Sequence, residues 1–289
     1  MKTKKRVLLI LTALLLAGIV ILGAVFLPAY FRNRTYYGRG LLTLSFIDVG
    51  QGDSILIGTP SGDYLLVDAG SADALGTVEE ELWLAGCDRL AAVVATHPHE
   101  DHIGGMSEIL RAVKTAELCL PDFPLATPSY RELLKTAEEK KIGASVPESG
   151  DVIYDREDCR VTVLWNGDGA EEANDASIVL RITYGNSSAL LMGDAGAAEE
   201  TLLLGSGLPL RADLLKVGHH GSSGSTSVGF LAGVSPKISV ISCGRNNDYG
   251  HPHRETLEKL ASGGGELYRT DESGTLRFAS DGKGWYLPR

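Results

Sequence analysis

Thr96-His97-Pro98-His99-Glu100-Asp101-His102-Ile103-Gly104-Gly105 gathers three imidazoles and two carboxylates between His97 and His102. An apolar run, residues 90–95, precedes it and reads as a buried strand. Residues 106–114 follow and read as a helix. The cluster therefore falls on a loop at a strand end, where a rigid scaffold can present ligands to a cleft. Imidazole and carboxylate at this density suit a divalent transition metal. A solvated polar loop would account for one histidine, but not for three with an aspartate in H-x-H-x-D-H order.

The other histidines support a single cleft. All seven fall in three short loops: His97, His99 and His102; His219 and His220; His251 and His253. Each loop follows an apolar, strand-like run. Asp194 ends another such run, residues 188–192, and is followed by small residues that leave it open to approach. With Asp101 it brings the ligand number to what two metals need. Two divalent ions at ~3.5–4 Å require a shared carboxylate or hydroxide between them, and Asp194 is the natural bridge.

Strands are expected at 41–48, 54–57, 64–67, 116–120, in pieces within 152–165, and at 177–184, 188–192, 214–217 and 238–243. Helices are expected at 78–84, 129–141, 197–204 and 254–261. Residues 228–232 read as one or two helical turns, and 267–270 with 275–279 as a closing hairpin. Strands come first, and then helix and strand alternate, which suits a two-sheet core with helices outside.

Composition is that of a globular chain, with 44% hydrophobic and 22% charged residues among 289. The first forty residues stand apart. Residues 7–27 are almost unbroken apolar sequence behind Lys2, Lys4, Lys5 and Arg6. At ~1.5 Å per residue such a helix would span a bilayer core of ~30 Å. The segment 7–29 is therefore read as an uncleaved transmembrane anchor, preferred over a signal peptide, between a basic tail at 1–6 and a juxtamembrane linker at 30–40. The basic flank weakly favours a cytoplasmic N-terminus. That reading puts the protein in the cell membrane, single-pass, with the domain 41–289 extracytoplasmic. Residues 41–289 carry 20 basic against 37 acidic side chains, so no basic surface for non-specific nucleic-acid binding is advertised. Cys87, Cys119, Cys159 and Cys243 form no C-x-x-C, which excludes a cysteine zinc knuckle. Small buried residues is the favoured reading of each. Oligomeric state is not legible.

These residues resemble the metallo-β-lactamase fold superfamily, and more narrowly the C-terminal domain of the competence DNA-uptake channel family. The matching pieces are FIDVGQGDS at 46–54, LVDAG at 66–70, THPHEDHIGG at 96–105 and NDASIVL at 174–180. They continue with LMGD at 191–194, LKVGHHGS at 215–222, GHPH at 250–253 and RTD at 269–271. The likeness implies an α+β fold, a four-layer αββα sandwich with its site at one edge. By the same likeness His97 and His99 are ligands of a first metal, and Asp101 and His102 of a second. Asp194 is the bridge, His220 rather than His219 the last histidine ligand, and Asp68 the aspartate that orients the loop, with Asp48 in a similar supporting position. One departure is visible. The superfamily's further histidine on the first metal is missing between His102 and His219, and Asn174 stands near its place.

The expected function is hydrolysis by a metal-bound hydroxide that Asp101 helps to hold, with His219 or His251 protonating the leaving group. Asn174, Ser222, Lys216 and Arg245 are candidate substrate contacts. Zn2+ is the favoured metal, with Mn2+ open. A small or polymeric phosphodiester is the preferred substrate. A lactam, lactone or thioester is the second reading, and a metal-binding module without turnover the third.

Overall fold

The computed structural model describes residues 5, 10–24, 37, 40–123, 125 and 127–288. Two mixed sheets face one another. In spatial order the first runs Trp285–Tyr286, Leu276–Ser280, Leu42–Phe46, Ile55–Gly58, Tyr64–Val67, Ala92–Val94, Glu117–Cys119 and Gly143–Ser145. The second runs Glu266–Arg269, Ile238–Ile241, Leu214–Lys216, Ser187–Leu191, Val179–Tyr184, Cys159–Trp165 and Val152–Arg156.

Alternation along the strands decides which layer each side chain joins. Leu42, Leu44 and Phe46 point between the sheets, as do Ile55, Ile57, Leu65 and Val67. They meet Val161, Val163, Ile182, Leu191 and Leu214 from the second sheet. Leu56, Leu66 and Val93 point outward and are covered by Val78, Leu82, Met106 and Leu133. These belong to the helices Leu75–Ala85, Met106–Ala112 and Pro128–Lys140. On the far side Leu190, Leu215 and Ile241 lie beneath Leu203, Phe230, Leu231 and Leu260. Those residues come from Ala197–Gly205, Val228–Val234 and Arg254–Gly263. The result is the expected αββα sandwich. All four cysteines are free and buried, and burial pushes each thiol up to about 12.

Two expectations are corrected. The closing hairpin does not form: Glu266–Arg269 pairs in parallel with Ile238–Ile241, while Leu276–Ser280 crosses to the other sheet beside Leu42–Phe46. A short helix, Thr270–Ser273, fills the connection and lets the chain change sheets. The single-pass, cell-membrane placement is also corrected. Among the described residues no helix is long and apolar enough to cross a membrane. Residues 7–9 and 25–29 of the expected span, and nearly all of the expected linker, lie outside the described residues.

The parallel register aligns the strands that carry the cleft. Leu191, Lys216 and Val240 sit side by side across three strands. The loops that follow, bearing Asp194, His219, His220 and His251, therefore leave the second sheet at one edge, where the loop after Ala92–Val94 meets them from the first.

Candidate functional site

Asp194 Oδ2 is the point of convergence. It lies 3.8 Å from His97 Nε2, 3.5 Å from His102 Nε2, 3.8 Å from His219 Nε2 and 3.4 Å from His220 Nε2. Asp101 Oδ2 stands 3.6 Å from His220 Nε2 and 3.9 Å from His102 Nε2. Among the described residues four overlapping groups have their ligand atoms within 4.8 Å; two are His97 with His102 and Asp194, and Asp101 with His102 and His220, and the other two bring in Asp53, once with Asp194 and His220 and once with Asp68 and His102. His99 Nδ1 adds itself at 3.1 Å from His97 Nε2. His102 belongs to both of the first two groups, whereas the family likeness gives it, with Asp101, Asp194 and His220, to the second metal alone.

Outer contacts fix which nitrogen faces inward. Asp68 Oδ2 accepts from His102 Nδ1 at 2.8 Å, and the Asp68 carboxylate also accepts from the Thr96 amide at 2.8 Å and its hydroxyl at 2.7 Å. The Ser242 carbonyl accepts from His220 Nδ1 at 3.0 Å. Both imidazoles are thereby held with Nε2 free toward the cleft. Ser177 Oγ lies 3.3 Å from His97 Nδ1 and accepts from the Asp194 amide at 2.9 Å, so one hydroxyl steadies a ligand on each sheet. Asp68, His219 and His220 all take left-handed backbone angles, φ 57°, 48° and 52°. Each such residue costs ~1–3 kcal/mol and persists where the surroundings over-determine it.

The donor set fits a divalent cation. A network built only for hydrogen bonds alternates donors with acceptors, but here ring nitrogens face each other, His102 Nε2 against His220 Nε2 at 3.3 Å. Asp194 Oδ1 is buried with no hydrogen-bond partner. Ligands at ~2.0–2.1 Å in a tetrahedral arrangement lie roughly 3.3 Å apart, close to the spacings just given. The field also favours positive charge. Burial pulls His220 down, yet Asp194 and Asp101 hold it up at about 9. His102 is likewise raised, against its burial, by Asp194 and Asp68. Burial works to raise Asp101 and Asp194, but the neighbouring imidazoles leave both lowered. His97, buried beside other histidines, is lowered.

The cleft above these groups measures about 330 Å³ and is lined by Gln51, Glu100, Asn174, His219, Tyr249 and His251 besides the residues already named. Asn174 Nδ2 is 3.4 Å from His219 Nε2, and Asn174 Oδ1 is buried without a partner. His251 Nδ1 is 3.4 Å from Gln51 Nε2, and its ring stacks on exposed Tyr249 at 5.7 Å and 18°. Burial, then His220 and His219, bring His251 down to about 4.

Four expected roles are not matched by position. Lys216 is fully buried and paired with Asp53 Oδ2 at 2.5 Å, out of a substrate's reach. Arg245 is turned to the Asp271 carbonyl at 2.9 Å and lines a different hollow together with Asp48. Asp48 Oδ1 accepts from the Gly50 amide at 3.2 Å, so it serves its own turn rather than a ligand. Ser222 Oγ accepts from the Gly224 amide at 3.3 Å and closes a local turn. Conversely the site also includes Asp53, Gln51, Tyr249 and Ser177, which no local pattern in the sequence marks. Asp53 and Gln51 lie inside the stretch 46–54, whose glycines read as a turn.

The fold and this cluster define a class. Residues 47–245, more than half of the chain, match the metallo-beta-lactamase superfamily, and the chain belongs to it. The expected likeness to competence proteins is also found. ComE operon protein 3 of Bacillus subtilis (strain 168) is 32% identical over 254 residues, 81% of this chain and 32% of that protein. Competence protein ComA of Neisseria gonorrhoeae is 33% identical over 234 residues, 80% of this chain and 31% of that protein. The chain thus spans about a third of the length of these relatives. Among solved structures, Tm1679, a metal-dependent hydrolase of the beta-lactamase superfamily, aligns with TM-score 0.55 and 13% identity over 82% of this chain and 98% of that one. YhfI from Bacillus subtilis aligns with TM-score 0.53 and 15% identity over 82% and 99%. At such identities the structures share the fold alone.

Asp68→Asn should test the outer contacts. The amide can no longer accept from His102 Nδ1 and both Thr96 donors as a carboxylate does. Metal affinity is expected to fall ~10–100-fold, read by competition with a chromophoric chelator.

Proposed function

We propose that the protein is a hydrolase that holds two divalent metal ions and cleaves a phosphodiester. The observation that carries this reading is the convergence of four imidazoles on Asp194 Oδ2, with Asp101 closing the second group. His97, His99 and Asp194 would hold one ion, and Asp101, His102, His220 and Asp194 the other. Zinc is the preferred ion and manganese the other candidate, given the mixed imidazole and carboxylate set. When bound, such ions supply Lewis acidity, which lets water ionise near neutral pH and offsets charge on the transferring oxygens.

The chain's own groups do the rest. Asp101 is half-buried at the cleft floor and orients the attacking water through its second oxygen. His219, partly exposed beside Asn174, offers Nε2 to the leaving oxygen, and Asn174 holds the substrate against it. His251, brought down to about 4, is neutral near pH 7 and stands behind as a contact for the leaving group rather than as its proton donor. No lysine or arginine is among the described residues lining the cleft, so anion binding falls to the metals, His219 and Asn174. That favours a small phosphodiester over a long polyanion. A further relative, Recombination protein 2 of Haemophilus influenzae, is 31% identical over 239 residues, 80% of this chain and 28% of that protein; recombination concerns phosphodiester-linked chains, which supports the same bond class.

His219→Ala should lower kcat by ~100-fold or more, the usual worth of a positioned proton donor, with metal content unchanged. Loss of metal in that variant would make His219 a ligand instead. The substrate class is tested by turnover of bis-p-nitrophenyl phosphate beside a chromogenic β-lactam. Phosphodiester turnover is expected, and lactam turnover alone would overturn the preference in favour of a carbonyl substrate.

A further inference from the structure

A fully buried lysine beneath a cleft of carboxylates and imidazoles calls for a reason. Leu214 and Lys216 lie on the same face of their strand, so Lys216 points into the layer between the sheets. There it reaches a residue of the opposite sheet's loop, Asp53, at 2.5 Å, and donates to the Gly193 carbonyl at 3.3 Å. Both side chains are almost wholly buried, 0% and 2% exposed.

Each partner is tied to a different ligand loop. Gly193 precedes Asp194, and its carbonyl also accepts from the His219 amide at 3.0 Å. The Asp53 amide donates to the Asp101 carbonyl at 3.2 Å, and the Asp53 carbonyl accepts from the Gly70 amide at 2.9 Å, two residues beyond Asp68. Asp53 Oδ1 has no hydrogen-bond partner and stands 3.7 Å from His220 Nδ1. The approach of the two loops is close enough to require glycine. A Cβ on Gly52, where φ is +130°, would lie 2.1 Å from the Asp101 carbonyl oxygen.

We propose that Lys216 and Asp53 form a positioning strut that clamps the two sheets together under the metal centre and sets Asp101, Asp194 and His220 at ligand spacing. Stability alone is a poor reason for the pair, because buried ion pairs can commonly be replaced by uncharged residues without loss of folding. The strut acts through the ligands and touches no substrate. It rests on the reading that the cleft holds metal, but not on which bond is cleaved.

The test is the full-length Lys216→Met/Asp53→Asn double variant, which leaves no buried charge unpaired. Zn2+ and Mn2+ affinities are measured by chelator competition, and the melting of the metal-free protein by circular dichroism. The expected result is a metal-free melting temperature close to wild type and an affinity lower by ~10–100-fold, as for other outer partners of metal ligands. Lys216→Met alone should lose both, since it strands the Asp53 carboxylate. Wild-type affinity in the double variant would overturn the strut while leaving the metal centre intact. Failure of the double variant to fold would assign the pair to stability and overturn it too. A wild-type protein that takes up neither metal would instead refute the metal centre, and the strut with it.

Discussion

Asp194→Ala is expected to abolish hydrolysis and empty the centre of metal, at a smaller cost to the metal-free fold than the loss of an anchored histidine. Its Oδ2 lies within 3.8 Å of all four converging imidazoles, and its Oδ1 is buried without a hydrogen bond. The backbone there does not depend on the carboxylate, because the Asp194 amide is held by Ser177 Oγ. Removing the carboxylate also takes a partner from His102 and His220, but His102 keeps Asp68 and His220 keeps Asp101, so no buried carboxylate is stranded. Removing a shared ligand should exceed the ~10–100-fold loss that follows from an outer partner. Melting curves with and without metal separate the two effects. Metal at a hundred times its dissociation constant adds about 2.7 kcal/mol to a protein that binds it, and the variant should gain nothing. A variant that retained metal and turnover would remove Asp194 from the centre.

His102→Ala should fail in a different way, losing metal and stability together. His102 belongs to the ligand groups of both His97 and Asp101, and its other nitrogen satisfies Asp68 at 2.8 Å. Asp68 is completely buried, and burial is the first influence on it, raising its pKa against the pull of His102. Deleting the imidazole leaves that carboxylate with only the Thr96 donors. Breaking a buried pair from one side costs ~3–5 kcal/mol. Urea denaturation of the metal-free protein should therefore show His102→Ala well below wild type and Asp194→Ala between the two. Equal stability of the two variants would contradict the division of roles between inner ligand and anchored ligand.

Much of this arrangement was legible in the sequence because it rests on local pattern. His97, His99, Asp101 and His102 are neighbours in the chain, and each histidine loop follows an apolar strand whose alternation is plain. The αββα order follows from the same periodicities. What escaped depends on long-range contact. Lys216 reads as a charged residue free to grip an anion, and only the pairing of the sheets reveals that it points inward to Asp53. Asp53 itself is hidden in a glycine turn. The stretch 267–279 looks like a hairpin because both halves are strand-like around a polar turn, and no local signal reveals that they join different sheets. The apolar N-terminal run has the composition of a span over 7–29, yet among the described residues no helix is long and apolar enough to cross a membrane.

The most direct measurement is the number of divalent ions bound per full-length chain, counted by inductively coupled plasma mass spectrometry. The protein would be loaded with Zn2+ or Mn2+ and then passed into metal-free buffer. A centre built on His97, His99, Asp101, His102, Asp194 and His220 predicts two ions per chain and none in Asp194→Ala. A wild-type chain that emerges without metal, or a variant that retains both ions, would contradict it.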